Sequence, residues 1–170
     1  MKKIFLSLAI LFSLFNASAQ VSYYKGEWTK VNTEDNFSAF LKLEIKDSVA
    51  TGEIIWKFKA IDSADDAAIK YYKGKKEKMG IEYVKGIFSQ NTNDIHLEGI
   101  YKTDPDLIIG MDKYILKLSL DKLIIYGRSL SNGENNGLVY FYSADSLIAS
   151  KEFDLLKANI LSKSADKALR

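Results

Sequence analysis

Five short apolar runs within residues 80–142 constrain this chain more than any other feature. They are 80–88 (GIEYVKGIF), 95–101 (IHLEGIY), 113–120 (KYILKLSL), 123–128 (LIIYGR) and 137–142 (GLVYFY). Each is rich in Ile, Leu, Val and Tyr and is bounded by Gly, Asn or Asp, the pattern of strands joined by turns. The gaps between them are mostly too short for the crossover that parallel pairing needs, so the sheet should be antiparallel. Ile95, Leu97, Gly99 and Tyr101 fall on one side of their run, with His96, Glu98 and Lys102 opposite. Tyr114, Leu116, Leu118 and Leu120 likewise share a side against Lys113, Lys117 and Ser119. Period-two alternation of this kind predicts one dry face and one wet face.

Three earlier runs extend the array. Residues 23–31 (YYKGEWTKV) place Trp28 on the face of Tyr24 and Gly26. Residues 37–45 alternate Phe37, Ala39, Leu41, Leu43 and Ile45 against Lys42 and Glu44. After a tight turn at Asp47-Ser48, residues 49–61 set Ile54, Trp56, Phe58 and Ala60 against Glu53, Lys57 and Lys59. Eight antiparallel strands with near-neighbour connections can close and so remove both sheet edges. The expected architecture is therefore all-β with added helices: an eight-stranded antiparallel up-and-down barrel over residues 20–143, a short helix between strands three and four, and a C-terminal helix over 144–170.

The first helix is expected at 64–73, acidic at its start (Asp62, Asp65, Asp66), basic at its end (Lys70, Lys73) and followed by Gly74. Lys70, Lys73, Lys75, Lys76 and Lys78 read either as an anion-binding patch or as a solvated helix end; helix C-termini favour lysine without any ligand. Residues 104–112 (DPDLIIGMD) are apolar for a loop, and Leu107, Ile108, Ile109 and Met111 need cover, as by folding over a barrel mouth. Asp104, Asp106 and Asp112 outline part of a calcium loop, but Ile115 stands where the bidentate Glu should be, so no metal is expected. In the C-terminal segment Ser143 or Asp145 can cap a helix whose apolar stripe is Leu147, Ile148, Leu155, Leu156, Ile160 and Leu161. That helix should pack on the barrel and could also meet a protein partner.

Residues 1–19 read as a secretory signal peptide: Lys2 and Lys3, an apolar run over 4–15, and Ala17-Ser18-Ala19 before Gln20. The run is too short for an ordinary membrane span, so no transmembrane segment is expected after cleavage. An exported bacterial protein, periplasmic or secreted, follows. With no cysteine there is no lipoprotein anchor site, disulfide or thiol chemistry. Loss of Lys2 and Lys3 from 24 basic residues leaves 22 against 22 acidic ones, and only two of the basic residues are Arg. A neutral, arginine-poor surface argues against nucleic acid as a partner.

Catalysis is hard to assemble from these residues. One histidine excludes a multi-histidine metal centre, and no cofactor motif is present. His96 and Glu98 share a strand face, but it is the wet one. A carboxylate-pair hydrolase stays open, because its two acids need not be close in sequence. Aromatic residues on dry faces suit a concave pocket or a filled core alike: Trp28, Trp56, Phe58, Phe88, Tyr101 and Tyr114. Of these, Trp56, Phe58, Phe88, Tyr101 and Tyr114 are the candidate ligand wall.

Gly26-Glu27-Trp28 is similar to the G-x-W signature of the lipocalins, which avidins and fatty-acid-binding proteins partly share. Thr103-Asp104 opens a loop where lipocalins often carry Thr-Asp-Tyr, with Pro105 in place of the tyrosine. Tyr126-Gly127-Arg128-Ser129 resembles the lipocalin Gly-Arg segment on a late strand. The order and rough spacing fit over about residues 23–130, although the usual disulfide is absent and the run 137–142 intervenes before the helix. The resemblance implies a calyx for a small apolar or amphipathic molecule, with Arg128 packed across Trp28 to close one end. A non-enzymatic ligand-binding barrel without a cofactor is the expectation. The alternatives are an envelope interaction module with a filled barrel, using the C-terminal helix or the 107–111 loop, and a hydrolase.

Overall fold

In a computed structural model, which describes residues 20–31, 35–61 and 66–169, eight strands close into one antiparallel barrel. They are β1 (Gln20–Lys30), β2 (Asn36–Lys46), β3 (Val49–Ala60), β4 (Met79–Ser89), β5 (Asp94–Thr103), β6 (Lys113–Leu118), β7 (Ile124–Ser131) and β8 (Glu134–Ser143). Each pairs with its chain neighbour, and β1 zips to β8 from Tyr24 opposite Ser143 to Lys30 opposite Gly137. Helix α1 (Asp66–Tyr72) lies between β3 and β4, and α2 (Ser146–Ala168) follows β8. The expected signal peptide at 1–19 and the expected start of the first helix at residue 64 lie outside the described residues.

The strands sit within three residues of their expected positions, because the apolar alternation that marks them also sets the barrel wall. Inward side chains fill the waist: Leu41, Ile54, Val84, Leu97, Leu116, Ile125, Val139 and Phe141 are all buried in one cluster. Burying such side chains contributes roughly 1.5–3 kcal/mol each, enough to make this layer the main stabilising element.

Two expectations about facing and one about a connection need correction. Tyr101 points outward and is 61 % exposed. Tyr83 pairs with Tyr101 and Val84 with Gly99, so Ile100 has no partner opposite it. The bulge inverts the alternation from that point on. Leu120 lies beyond β6 and is 92 % exposed, because the strand stops at Leu118 to enter the turn. Between β7 and β8 the polar stretch 131–136 is mostly strand, turning only at Asn132-Gly133, both with positive φ. That is the Asn-Gly turn whose twist suits a hairpin.

Helix α2 starts on the Asp145 carboxylate, which accepts from the Leu147 and Ile148 amides. It lies across the outer wall, where Ala149, Phe153 and Ile160 pack with Tyr23, Phe40, Ile55 and Ile81. The stripe it buries is thus Ala149, Phe153, Leu156 and Ile160, a clean four–three–four spacing. Leu147, Ile148, Leu155 and Leu161 of the expected stripe stay exposed, being off that line.

Candidate functional site

The two ends of the barrel are built from connections of different length. At one end β2–β3, β4–β5 and β6–β7 turn tightly. At the other end stand α1 and residues 104–112, and here a cavity of about 170 Å³ opens. Trp28, Phe37, Trp56 and Tyr114 reach it from four strands, Tyr72 from α1, and Ile108, Ile109 and Asp112 from the 104–112 loop.

The loop is held as a lid. The Asp104 carboxylate accepts from the Ile108 and Ile109 amides at 2.9 Å each, which turns Ile108 into the core. Leu107 takes a positive φ, unfavourable for a leucine, and its carbonyl is fixed by the Tyr71 hydroxyl at 2.7 Å and the Lys75 ammonium at 3.0 Å. Lys75 also lies 3.6 Å from the Tyr71 ring centre. Lys102 donates to the Ile109 carbonyl, and Lys167 at the end of α2 reaches the Pro105 carbonyl and Asp106. Ile108 and Ile109 therefore face the barrel, while Leu107 and Met111 stay outside.

The floor of the cavity is a carboxylate. Glu82 is 1 % exposed on β4, in phase with inward Val84. Its Oε2 accepts from the Tyr114 hydroxyl at 2.6 Å and from the Trp56 indole N–H at 2.9 Å; its Oε1 accepts from the Asp112 amide at 3.1 Å. Room for the carboxylate comes from Gly99, where a Cβ would sit 2.3 Å from Oε1. Burial pushes Glu82 up to about 7; the donated hydrogen bonds from Tyr114, Trp56 and the Asp112 amide oppose this, and the Asp112 charge adds to it. Asp112 is also raised by burial, against hydrogen bonds from Asn136 and Ser129. Burial holds Tyr114 well above the usual phenol range, so it is a donor near neutral pH, and raises Tyr72 to about 12.

Trp28 joins the same network. Its indole N–H donates to Ser129 Oγ at 2.8 Å, and its ring occupies space that any Cβ on Gly137 would overlap. Ser129 in turn bonds Asp112, whose Oδ2 accepts from Asn136 at 3.0 Å. Phe37 meets Trp28 edge-on at 5.5 Å, and Trp56 stacks with Tyr114 at 6.4 Å between ring centres.

Of the expected ligand wall, Trp56 and Tyr114 meet at this cavity. Phe58 lies behind it, stacked on Tyr72 at 4.6 Å. Phe88 lines a cavity at the opposite end, and Tyr101 is on the outer wall. Of the expected closing pair, Trp28 points in, whereas Arg128 is exposed on the outer face, opposite Ile115. The Trp–Arg contact that the resemblance implies is replaced by the Trp28–Ser129 hydrogen bond, because Arg128 and Ser129 are adjacent and face opposite sides. His96 and Glu98 are both exposed, and Glu98 pairs with Lys113 at 3.3 Å. Asp104, Asp106 and Asp112 diverge to the lid amides, Lys167 and Asn136 respectively.

Sequence reasoning missed Glu82, Asp112, Phe37 and Tyr72. For Glu82 a signal existed: it shares parity with Val84 and Phe88, so it is an acid on an inward position. It was masked because Ile81 and Tyr83 alternate against it and suggest the reverse facing. No protein-family model, no curated protein and no solved structure matches this chain.

Proposed function

We propose that this chain is an exported, non-enzymatic barrel that holds one small amphipathic molecule beneath the 104–112 lid. The observation that carries the reading is the cavity itself: aromatic walls, a hydrogen-bonded carboxylate floor and a lid tied down from three elements. Pockets that bind small molecules combine mostly apolar walls with a few placed polar groups. Size narrows the class. A cavity near about 150 Å³ accommodates one benzene-sized molecule, so about 170 Å³ suits a compact ligand rather than a long acyl chain. The waist below Glu82 is filled, which leaves no channel for a fatty tail. The barrel topology speaks for a lipocalin-like calyx, while the outward Arg128 speaks against carrying over that family's closing pair.

Both tryptophans of the chain line this cavity, so intrinsic fluorescence is a direct reporter. Gently purified protein should show a retained small mass in native mass spectrometry, or saturable changes in tryptophan emission on titration with compact aromatic or amphipathic molecules. An unliganded mass together with an unresponsive emission across such a panel would reject the reading. A second reading, an envelope interaction module, is favoured by the exposed Leu147, Ile148, Leu155 and Leu161 on α2. Its mark would be partner capture that is lost when these four become serine, with the emission still unresponsive. A hydrolase reading would rest on the two acids that share this cavity, Glu82 and Asp112, and would require turnover that disappears in Glu82→Gln.

A further inference from the structure

Two acids line the cavity, yet among the described residues neither Glu82 nor Asp112 has a cationic partner. The cations nearest by position are engaged elsewhere. Lys102, across the sheet from Glu82, turns to the Ile109 carbonyl and lies 3.7 Å from Asp104. Lys30 at the rim pairs with Asp35 at 3.4 Å. Neither Lys nor Arg is among the lining residues. Among the described residues, all donors to Glu82 are neutral groups, and its Oε1 accepts only the Asp112 amide. An ionised carboxylate has roughly four acceptor positions, and the described residues supply donors to three of them.

We propose that the cavity holds a small primary ammonium compound, its nitrogen against Glu82 and Asp112 and its apolar body against Trp28, Phe37, Trp56 and Tyr72. This rests on the cavity being a ligand site and names the charge of its occupant. The alternatives are disfavoured on the same residues. An anion would meet two carboxylates and no basic group, a like-charge contact in a poorly solvated space. A neutral donor such as a hydroxyl could bond the Glu82 carboxylate but would bring no counter-charge to the acid pair, so it gains less there than an ammonium does. Indole and phenol faces add attraction for a cation that they do not offer an anion.

The groups facing Glu82 define the pH test: Asp112 from the loop, Tyr114 from β6, and Lys102 on β5, whose ammonium is directed to the lid. Asp112 and Glu82 both bind the cation best when ionised, and an arylalkylammonium keeps its charge across the range where they titrate.

The experiment compares three probes of nearly equal shape: phenethylammonium, 2-phenylethanol and phenylacetate, titrated by tryptophan emission and calorimetry at about pH 8 and about pH 5.5. Phenethylammonium should bind about tenfold tighter than the alcohol at the higher pH, with an advantage that shrinks to about twofold at the lower. Phenylacetate should be the weakest. Near neutral pH, calorimetry in buffers of different ionisation enthalpy should register proton release when the ammonium binds. Glu82→Gln should remove most of the ammonium's advantage over the alcohol; the proton-release measurement on the unaltered protein stands in should that variant fold poorly. Equal binding of ammonium and alcohol, or tightest binding of phenylacetate, would overturn the cation assignment while leaving the cavity reading in place. Silence from all three would remove both.

Discussion

The two ends of the barrel are both hollow, and the comparison between them shows that volume alone does not make a site. The end bearing Phe88 has the larger cavity, about 220 Å³ against about 170 Å³. Yet its wall is Tyr24, Leu43, Ile45, Phe88 and Leu118 with Lys46, Asp47 and Lys122 beside them, and tight turns surround it. The lidded end gathers five aromatic side chains and two acids, Glu82 buried and Asp112 half-buried, and its long connections supply the lid. Short turns satisfy their own backbone and fix register, whereas long loops on a rigid wall can be shaped toward a ligand.

The largest expected effect breaks the partition between the ends. Phe141 is fully buried at the waist, and Phe141→Ala should cost about 3–5 kcal/mol in denaturant unfolding. A loss below about 1 kcal/mol would mean that the waist is not packed. Next comes pH. Above about 4.5 the unfolded chain releases the Glu82 proton, while the folded protein keeps it until about 7. The folded state then binds more protons, so this group's contribution to stability falls as pH rises through that window, by about 3 kcal/mol in all. Glu82→Gln should flatten that part of the stability profile relative to the unaltered chain. An unchanged profile would place Glu82 in water.

Smaller effects sharpen the contrast in connections. Asp104→Ala removes the acceptor for two lid amides and should cost about 1–2 kcal/mol, with amide exchange faster at 107–111 and unaltered in the turns at the other end. Arg128→Ala should change stability by less than about 0.5 kcal/mol and leave tryptophan emission as it was, since the side chain is exposed on the outer wall. A large emission change would restore the Trp28–Arg128 contact that the lipocalin resemblance implies.

The barrel was legible because inward Leu, Ile and Val recur at period two in strand after strand, a pattern that a closed sheet requires. It failed where a second layer or an irregular residue intervened. On β4 both faces are covered, by the core and by α2, so Ile81 and Glu82 are equally buried and alternation cannot order them. The bulge at Ile100 carries no residue signature and turned Tyr101 outward. Arg128, by contrast, was readable: Ile125, Gly127 and Ser129 share one parity on β7, which sets Arg128 on the other. Strand parity, and not the motif resemblance, sets where Arg128 points. Of the site, Trp28, Trp56 and Tyr114 showed in the sequence as inward aromatics, whereas Asp112 did not, because it reaches the cavity from a loop that has no period.

The claim that the lidded end is the binding end is tested most directly by following the two indole N–H resonances and the backbone amides during titration with phenethylammonium. Both indole signals, from Trp28 and Trp56, should shift along one saturation curve while the amides around Phe88 and Lys122 stay in place. Movement confined to the Phe88 end, with both indole signals fixed, would contradict the account.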